Sequence, residues 1–249
     1  MEAVILAAGV GRRLYPLTKD VSKCMLKVGD RPLLSQILGN LLEVGIKEIL
    51  VVTGHGAESV EDLINSFQGI NIRCLYNPNY AQMNNCYSLW LTLKEVKDGF
   101  LIYNSDLLCG RDLVRKIIEA PPEDSLLVDR GKALGSEEMK VKLDEDDRIS
   151  QISKDIPPRE AGGEYIGIAK FSRQGGEKLK DHLDSFIKKG KVDQFYEAAF
   201  DLLAKSYSLY GVCFKGEPWV EIDDFEDLSK AKDLVWPQIK ERWPRSPEV

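Results

Sequence analysis

The sequence predicts an α/β domain: a mostly parallel sheet flanked by helices, with a β-rich insertion in its second half. Three observations carry that prediction. Short runs such as Val4-Ile5-Leu6, Ile49-Leu50-Val51-Val52 and Phe100-Leu101-Ile102-Tyr103 are apolar at every position, the pattern of strands buried on both faces. In the first half these runs alternate with helical patterns, and a βαβα order argues for a parallel sheet covered on both sides. In the second half strands follow one another across polar turns.

The first strand, 3–6, ends at Leu6 and empties into a small loop, Ala7-Ala8-Gly9-Val10-Gly11, followed by Arg12 and Arg13. Pro16 argues against a helix leaving this loop directly, because proline disrupts a helix interior. A long basic loop reaching Lys23 is expected instead. Helices are expected at 33–44, 57–67, 85–96 and 111–118, with strands between them at 48–52, 72–76 and 100–103. Ligands of such sheets sit beyond the carboxyl ends of the strands, so the 7–13 loop and the 104–106 segment belong to one mouth. The insertion supplies strands at 126–129, 140–143, 148–153 and 165–171. The acids at 144–147 read as a hairpin turn between two of these rather than a metal site. Helices at 177–189 and 194–204, a strand at 209–214, and from Asp227 one helix and a short Trp-Pro tail complete the chain.

Composition narrows the function classes. A chain of 249 residues with 43% hydrophobic content fits one large α/β domain with a full core. The net charge of −6 removes the electrostatic footprint of a nucleic-acid binder. No apolar stretch is long enough to cross a membrane, and a strand at the very start leaves no room for a signal peptide. Five scattered cysteines without a Cys-x-x-Cys pair read as reduced thiols, which points to the cytoplasm. Cys24, beside Lys23, reads as a packing thiol more readily than a reactive one.

The glycine loop is the most informative element. Glycine lacks the Cβ that keeps a backbone away from a polyphosphate, so loop N–H groups can approach phosphate oxygens. Arg12, Arg13 and Lys23 add charge. The dinucleotide fingerprint wants a third glycine where Leu14 stands, and the Gly-Lys-Ser/Thr of a phosphate-loop NTPase is absent. A nicotinamide-dependent oxidoreductase would also need an acid near Thr53-Gly54-His55, and none is there.

Leu6-Ala7-Ala8-Gly9-Val10-Gly11-Arg12-Arg13-Leu14, then Pro16-Leu17-Thr18, Lys23 and Pro32-Leu33, resembles the signature of the sugar-phosphate and alcohol-phosphate nucleotidyltransferases. One departure is Ser22, where that family usually has proline; the turn before Lys23 is expected to loosen. The resemblance implies a Rossmann-like fold, Mg²⁺ as cofactor, and one domain made of a nucleotide-binding half (1–120), an acceptor-binding half (121–226) and a C-terminal helix and tail (227–249). It implies that Asp106, ending the fourth strand, and Asp223, in Glu221-Ile222-Asp223, share the metal. Asp224 competes for the second role. Helix capping is the alternative for each: Asp106 before the helix at Arg111, Asp223 before the helix at Phe225.

The implied reaction is attack of an acceptor phosphate or phosphonate oxygen on the α-phosphorus of a nucleoside triphosphate, expelling pyrophosphate. It needs no covalent protein intermediate, and a chain with two histidines offers no nucleophilic triad. Lys23 and Arg13 are the expected catalytic residues, working by position and charge.

The segment Tyr80-Ala-Gln-Met-Asn84-Asn85-Cys-Tyr-Ser88-Leu resembles the cytidylyltransferase branch, whereas hexose-1-phosphate enzymes usually carry a Gly-Thr-Ala type segment there. CTP is therefore the expected nucleotide, with Asn85 and Ser88 near base or ribose; capping explains Asn84 or Asn85 equally well. Lys154, Glu164, Tyr165, Asp193, Tyr196 and Trp219 are the candidate acceptor residues. Their aromatic and acidic mixture suits a phosphocholine-like acceptor through cation–π contact and charge pairing. Inositol phosphate, aminoethylphosphonate, and a UTP- or dTTP-dependent sugar-1-phosphate reaction remain alternatives, as does a non-catalytic nucleotide-binding regulator. Oligomeric state, a homodimer included, is left open.

Overall fold

The computed structural model describes residues 1–240; the end of the expected Trp-Pro tail lies outside the described residues. Strand β1 (Glu2–Leu6) leads through the long loop and a small hairpin, β2 (Lys27–Val28) and β3 (Arg31–Pro32), into helix α1 (Leu33–Glu43). Then come β4 (Glu48–Thr53), α2 (Ala57–Asn65), β5 (Asn71–Tyr76), α3 (Asn85–Thr92), β6 (Phe100–Asn104), β7 (Leu107–Cys109) and α4 (Arg111–Glu119). The second half holds β8 (Ser125–Asp129), β9 (Lys140–Leu143), β10 (Ile149–Ser153), β11 (Gly163–Phe171), α5 (Arg173–Lys188), α6 (Glu197–Ser206), β12 (Tyr210–Phe214), β13 (Trp219–Glu221), α7 (Phe225–Lys230) and α8 (Trp236–Ile239).

One sheet runs in the order β10-β9-β11-β6-β1-β4-β5, with β8 on β11 and β12 on β8. Strands β6, β1, β4 and β5 are parallel. Strand β11 enters antiparallel between β6 and the β8 and β9 strands, so only β10 and β11 run against the rest of the sheet. The β-rich insertion thus extends the same sheet.

Side-chain alternation along the buried strands builds two cores. Ala3, Ile5, Ile49, Val51, Leu101 and Tyr103 pack on the face covered by α1 and α4. Val4, Leu50, Phe100 and Ile102 pack on the other, against α3, α5 and α6. A period of two with both faces apolar is what continuous hydrophobic runs mean.

The helix expected at 85–96 ends at Thr92 and the one expected at 194–204 runs from Glu197 to Ser206. Two further differences have a physical reason in the packing and the chain. Helix α5 begins at Arg173, capped by Ser172 Oγ accepting from Gly175 N–H. Gly175-Gly176 looks like a helix breaker, yet the pair is a packing requirement. A Cβ at Gly175 would stand 1.8 Å from Asp124 Oδ1, and one at Gly176 2.7 Å from the Phe100 ring. At the C-terminus the single expected helix is split by a π-helical turn, Ala231–Val235, before α8. Pro237, early in α8, has no N–H to give the preceding turn, so the hydrogen-bond spacing changes there. The acids at 144–147 form the expected β9–β10 turn: Asp144 Oδ1 accepts from the N–H groups of Asp146 and Arg148.

Candidate active site

The loop after β1 carries two short 3-10 turns, Arg12–Leu14 and Lys23–Met25, and is tied together by side-chain hydrogen bonds. Ala7 N–H donates to Val52 O, extending β1 toward the loop. Gly11 adopts a left-handed conformation (φ 62°) and accepts from Thr18 Oγ1 at 2.7 Å. Ser22 Oγ donates to Ala7 O at 3.1 Å and is buried. The expected loosening at Ser22 is therefore absent: its hydroxyl ties the two ends of the loop where a proline ring would have stiffened one. Gly9 has nothing within 4 Å of the place a Cβ would take, so a side chain there would stand in open cleft.

The far side of the site is assembled by a two-stranded ribbon. β7 pairs antiparallel with β13, Glu221 opposite Leu107, and Ile222 N–H donates to Asp106 O. This ribbon brings together acids more than a hundred residues apart in sequence. Oxygens of Asp106, Glu221 and Asp223 lie within 4.8 Å of one another. Lys23 Nζ sits between two of them, 2.9 Å from Asp106 Oδ2 and 2.6 Å from Asp223 Oδ1, and Arg13 reaches Asp223 Oδ2 at 2.6 Å.

The electrostatics follow from this crowding. Burial disfavours a charged Lys23, but Asp106 and Asp223 outweigh it and hold the ammonium above its ordinary pKa. Burial likewise opposes the Asp223 carboxylate, and Lys23 and Arg13 more than compensate, keeping its pKa low. Glu221 goes the other way: burial, then repulsion from Asp106 and Asp223, pushes it well above the carboxylate range. Asp106 Oδ1 is buried and has no hydrogen-bond partner among the described residues. Three carboxylates, one with a spare oxygen, form an all-oxygen donor set that fits a hard divalent cation of the Mg²⁺ kind.

The two capping alternatives resolve geometrically. The N-cap of α4 is Gly110, so Asp106 is free to face Lys23. Asp224, not Asp223, caps α7, its Oδ1 accepting from the N–H groups of Glu226 and Asp227.

A cleft of about 760 Å³ opens here, lined by Leu6, Ala8, Gly9, Gly11, Arg12, Arg13 and Lys23 on one side. Asn85, Ser88, Asp106, Lys154, Tyr165, Asp193 and Asp223 line the same space. Ala7 lies just beneath, buried, holding Ser22.

Comparison with known proteins gives the family. The nucleotidyl transferase family model matches residues 2–236. The chain belongs to the nucleotidyl transferase family. It is 25% identical over 236 residues to a choline-phosphate cytidylyltransferase of Streptococcus pneumoniae, covering 94% of this chain and 98% of that one. It is 26% identical over 249 residues to a CTP:phosphoglutamine cytidylyltransferase of Campylobacter jejuni, covering 92% and 98%. The solved CTP:phosphocholine cytidylyltransferase from Streptococcus pneumoniae has the same fold, with a TM-score of 0.80, 24% identity and coverage of 94% and 98%.

In this nucleotidyl transferase, three residues expected on the acceptor side lie elsewhere. Trp219 is outside the cleft, its Nε1 donating to Asp129 Oδ2 at 2.8 Å. Glu164 points to the same neighbouring cavity and pairs with Lys132 Nζ at 3.0 Å. Adjacent residues of a strand face opposite ways, so Tyr165 reaches the cleft and Glu164 cannot. Tyr196 is fully buried behind the wall, donating to Asn104 Oδ1 and sharing a hydrogen bond with Tyr165 Oη. Asn85 Oδ1 accepts from Tyr196 N–H, and Ser88 Oγ accepts from Asn77 Nδ2, so both residues are pinned where they line the cleft. Asn84 is the α3 cap. Sequence reasoning named Glu221 only within Glu221-Ile222-Asp223 and Glu197 only as the end of the Asp193 to Glu197 wall, and gave neither a role of its own.

Proposed function

We propose that the chain is a Mg²⁺-dependent cytidylyltransferase that moves CMP from CTP to a small phosphorylated amino-alcohol and releases pyrophosphate. The observation that carries this reading is Lys23 Nζ set between Asp106 and Asp223 at the foot of a glycine loop. Residues 1–120 are its nucleotide half and 121–226 its acceptor half, and the described residues from 227 on belong to the same domain. Its free thiols fit a reducing cytoplasm.

The acceptor's phosphate oxygen forms a bond to the α-phosphorus as the bond to the β-phosphate bridging oxygen breaks. The attacking oxygen is already anionic, so no side chain has to take a proton. The glycine-loop N–H groups and Arg13 hold the β- and γ-phosphates. Lys23 neutralises charge developing on the α-phosphate, and Lys154 orients the acceptor phosphate. Mg²⁺ bound by Asp106 and Asp223, with Glu221 beside them, would supply further neutralisation of phosphate charge. Catalysis then rests on position and charge. The full-length similarity to named cytidylyltransferases and the Asn84 to Ser88 segment support CTP as the nucleotide.

The test is pyrophosphate release with Mg²⁺, crossing CTP, UTP, dTTP, GTP and ATP with phosphocholine, phosphoethanolamine, aminoethylphosphonate, inositol 1-phosphate and hexose 1-phosphates. Turnover confined to CTP with phosphorylated amino-alcohols or phosphonates is expected. Preference for UTP or dTTP with a hexose 1-phosphate would overturn it.

A further inference from the structure

Glu197 opens helix α6, lines the cleft and is only 6% exposed. Its Oε2 is buried and has no hydrogen-bond partner among the described residues. A buried carboxylate oxygen left unpaired is costly, and at a cleft wall a ligand group can complete it. Burial, the largest influence, pushes its pKa to about 7, with Lys154 opposing the rise.

The surrounding wall limits what can complete it. A quaternary ammonium has no N–H to offer and relies on aromatic faces. Trp219 is outside the cleft, and Tyr165 is buried and committed edge-on to Tyr196 and Phe200. The Phe195 ring already has Lys154 Nζ at 5.5 Å from its centre. Tyr80, also on the cleft, packs beside Gly54 and Ala8 at the glycine-loop end, so among the described residues no aromatic cage is assembled around Glu197. A neutral hydroxyl could donate to Oε2, but charge-assisted N–H bonds are about twice as strong as neutral ones.

We infer that Glu197 is the recognition site for a protonated primary amine on the acceptor, selecting aminoalkyl phosphates or phosphonates over trimethylammonium and neutral acceptors. The inference rests on the proposed acceptor half, with Lys154 taking the phosphate end of the same molecule and Asp193 adding negative charge along the wall.

The test measures calorimetric dissociation constants of phosphoethanolamine and phosphocholine for the wild-type chain, Glu197→Gln and Glu197→Asp, alongside pyrophosphate release from CTP. Phosphoethanolamine is expected to bind wild type at least about tenfold more tightly than phosphocholine, since one charge-assisted hydrogen bond is worth about that much. Glu197→Gln should erase the preference while moving phosphocholine by less than about threefold, and Glu197→Asp should keep part of it. Equal affinities in wild type, no binding of phosphoethanolamine, or a preference that survives Glu197→Gln would overturn the inference. Failure of the cytidylyltransferase reading shows separately: a Glu197-dependent amine preference with no pyrophosphate release removes that reading and leaves the amine site standing.

Discussion

Lys23 Nζ donates to Asp223 Oδ1 at 2.6 Å, joining residues 200 positions apart at the centre of the cleft. The ammonium stands between two carboxylates, so its charge organises the site before any ligand arrives. Replacing Lys23 by methionine keeps the stem and deletes that charge. The expected result is a fall in kcat of about 10²–10³, or roughly 2.7–4 kcal/mol, comparable to the loss of one oxyanion donor. Steady-state pyrophosphate release measures it, and a variant within a few-fold of wild type would remove Lys23 from the chemistry.

Neighbouring acids should separate cleanly. Asp224→Ala removes the α7 cap and is expected to lower stability by about 1 kcal/mol with kcat nearly unchanged. Asp223→Asn should instead abolish most of the turnover and weaken Mg²⁺ dependence. Thermal denaturation and metal titration of both variants check the division; equal kinetic defects would contradict it.

Glu197 carries a stability cost with a definite sign. Its folded pKa, about 7, lies above the ordinary 4.5, so between those values the folded chain holds a proton that the unfolded chain has released. Its contribution therefore becomes less favourable as pH rises from about 4.5 and is fully unfavourable above about 7. Glu197→Gln should be more stable than wild type at pH 8, by at most about 3 kcal/mol, with the gap closing near pH 4.5. Denaturant midpoints across that range decide the matter; a constant gap would contradict the burial argument.

Ser22→Ala removes the bond that ties the loop to Ala7 O. A buried acceptor is then left unpaired, at a cost of about 1–3 kcal/mol. The KM for the nucleotide should rise more than kcat falls, because the loop, not Lys23 itself, loses its tether. An unchanged KM would show the loop to be held by Thr18 alone.

Trp219→Phe tests the correction to the acceptor wall. The indole N–H bonds Asp129 outside the cleft, so stability is expected to drop by about 1 kcal/mol while the acceptor KM stays within about twofold. A large rise in that KM would return Trp219 to the acceptor site.

Much of this was legible in the sequence because buried strands advertise themselves. Runs apolar at every position located β1, β4 and β6, and the glycine loop and Asp106 necessarily fell at their carboxyl ends. The loop side of the cleft was readable because its parts lie close together in the chain. The opposite wall was readable only in part, at Lys154, Tyr165 and Asp193, because its membership depends on which way strand residues point and on what lies behind them. Glu164 and Tyr165 are adjacent in sequence and face different cavities. Tyr196 and Glu197 are adjacent too, one buried behind the wall and the other lining it. The β7–β13 ribbon, a pairing across more than a hundred residues, leaves no local pattern, and so Glu221 was given no role beside Asp223.

The most direct measurement is ³¹P NMR of the wild-type chain with CTP, Mg²⁺ and phosphoethanolamine. The account predicts loss of the CTP resonances and the appearance of free pyrophosphate together with the paired resonances of a CMP-linked diphosphate diester. Persistence of CTP, or its hydrolysis to CMP without a coupled product, would contradict it.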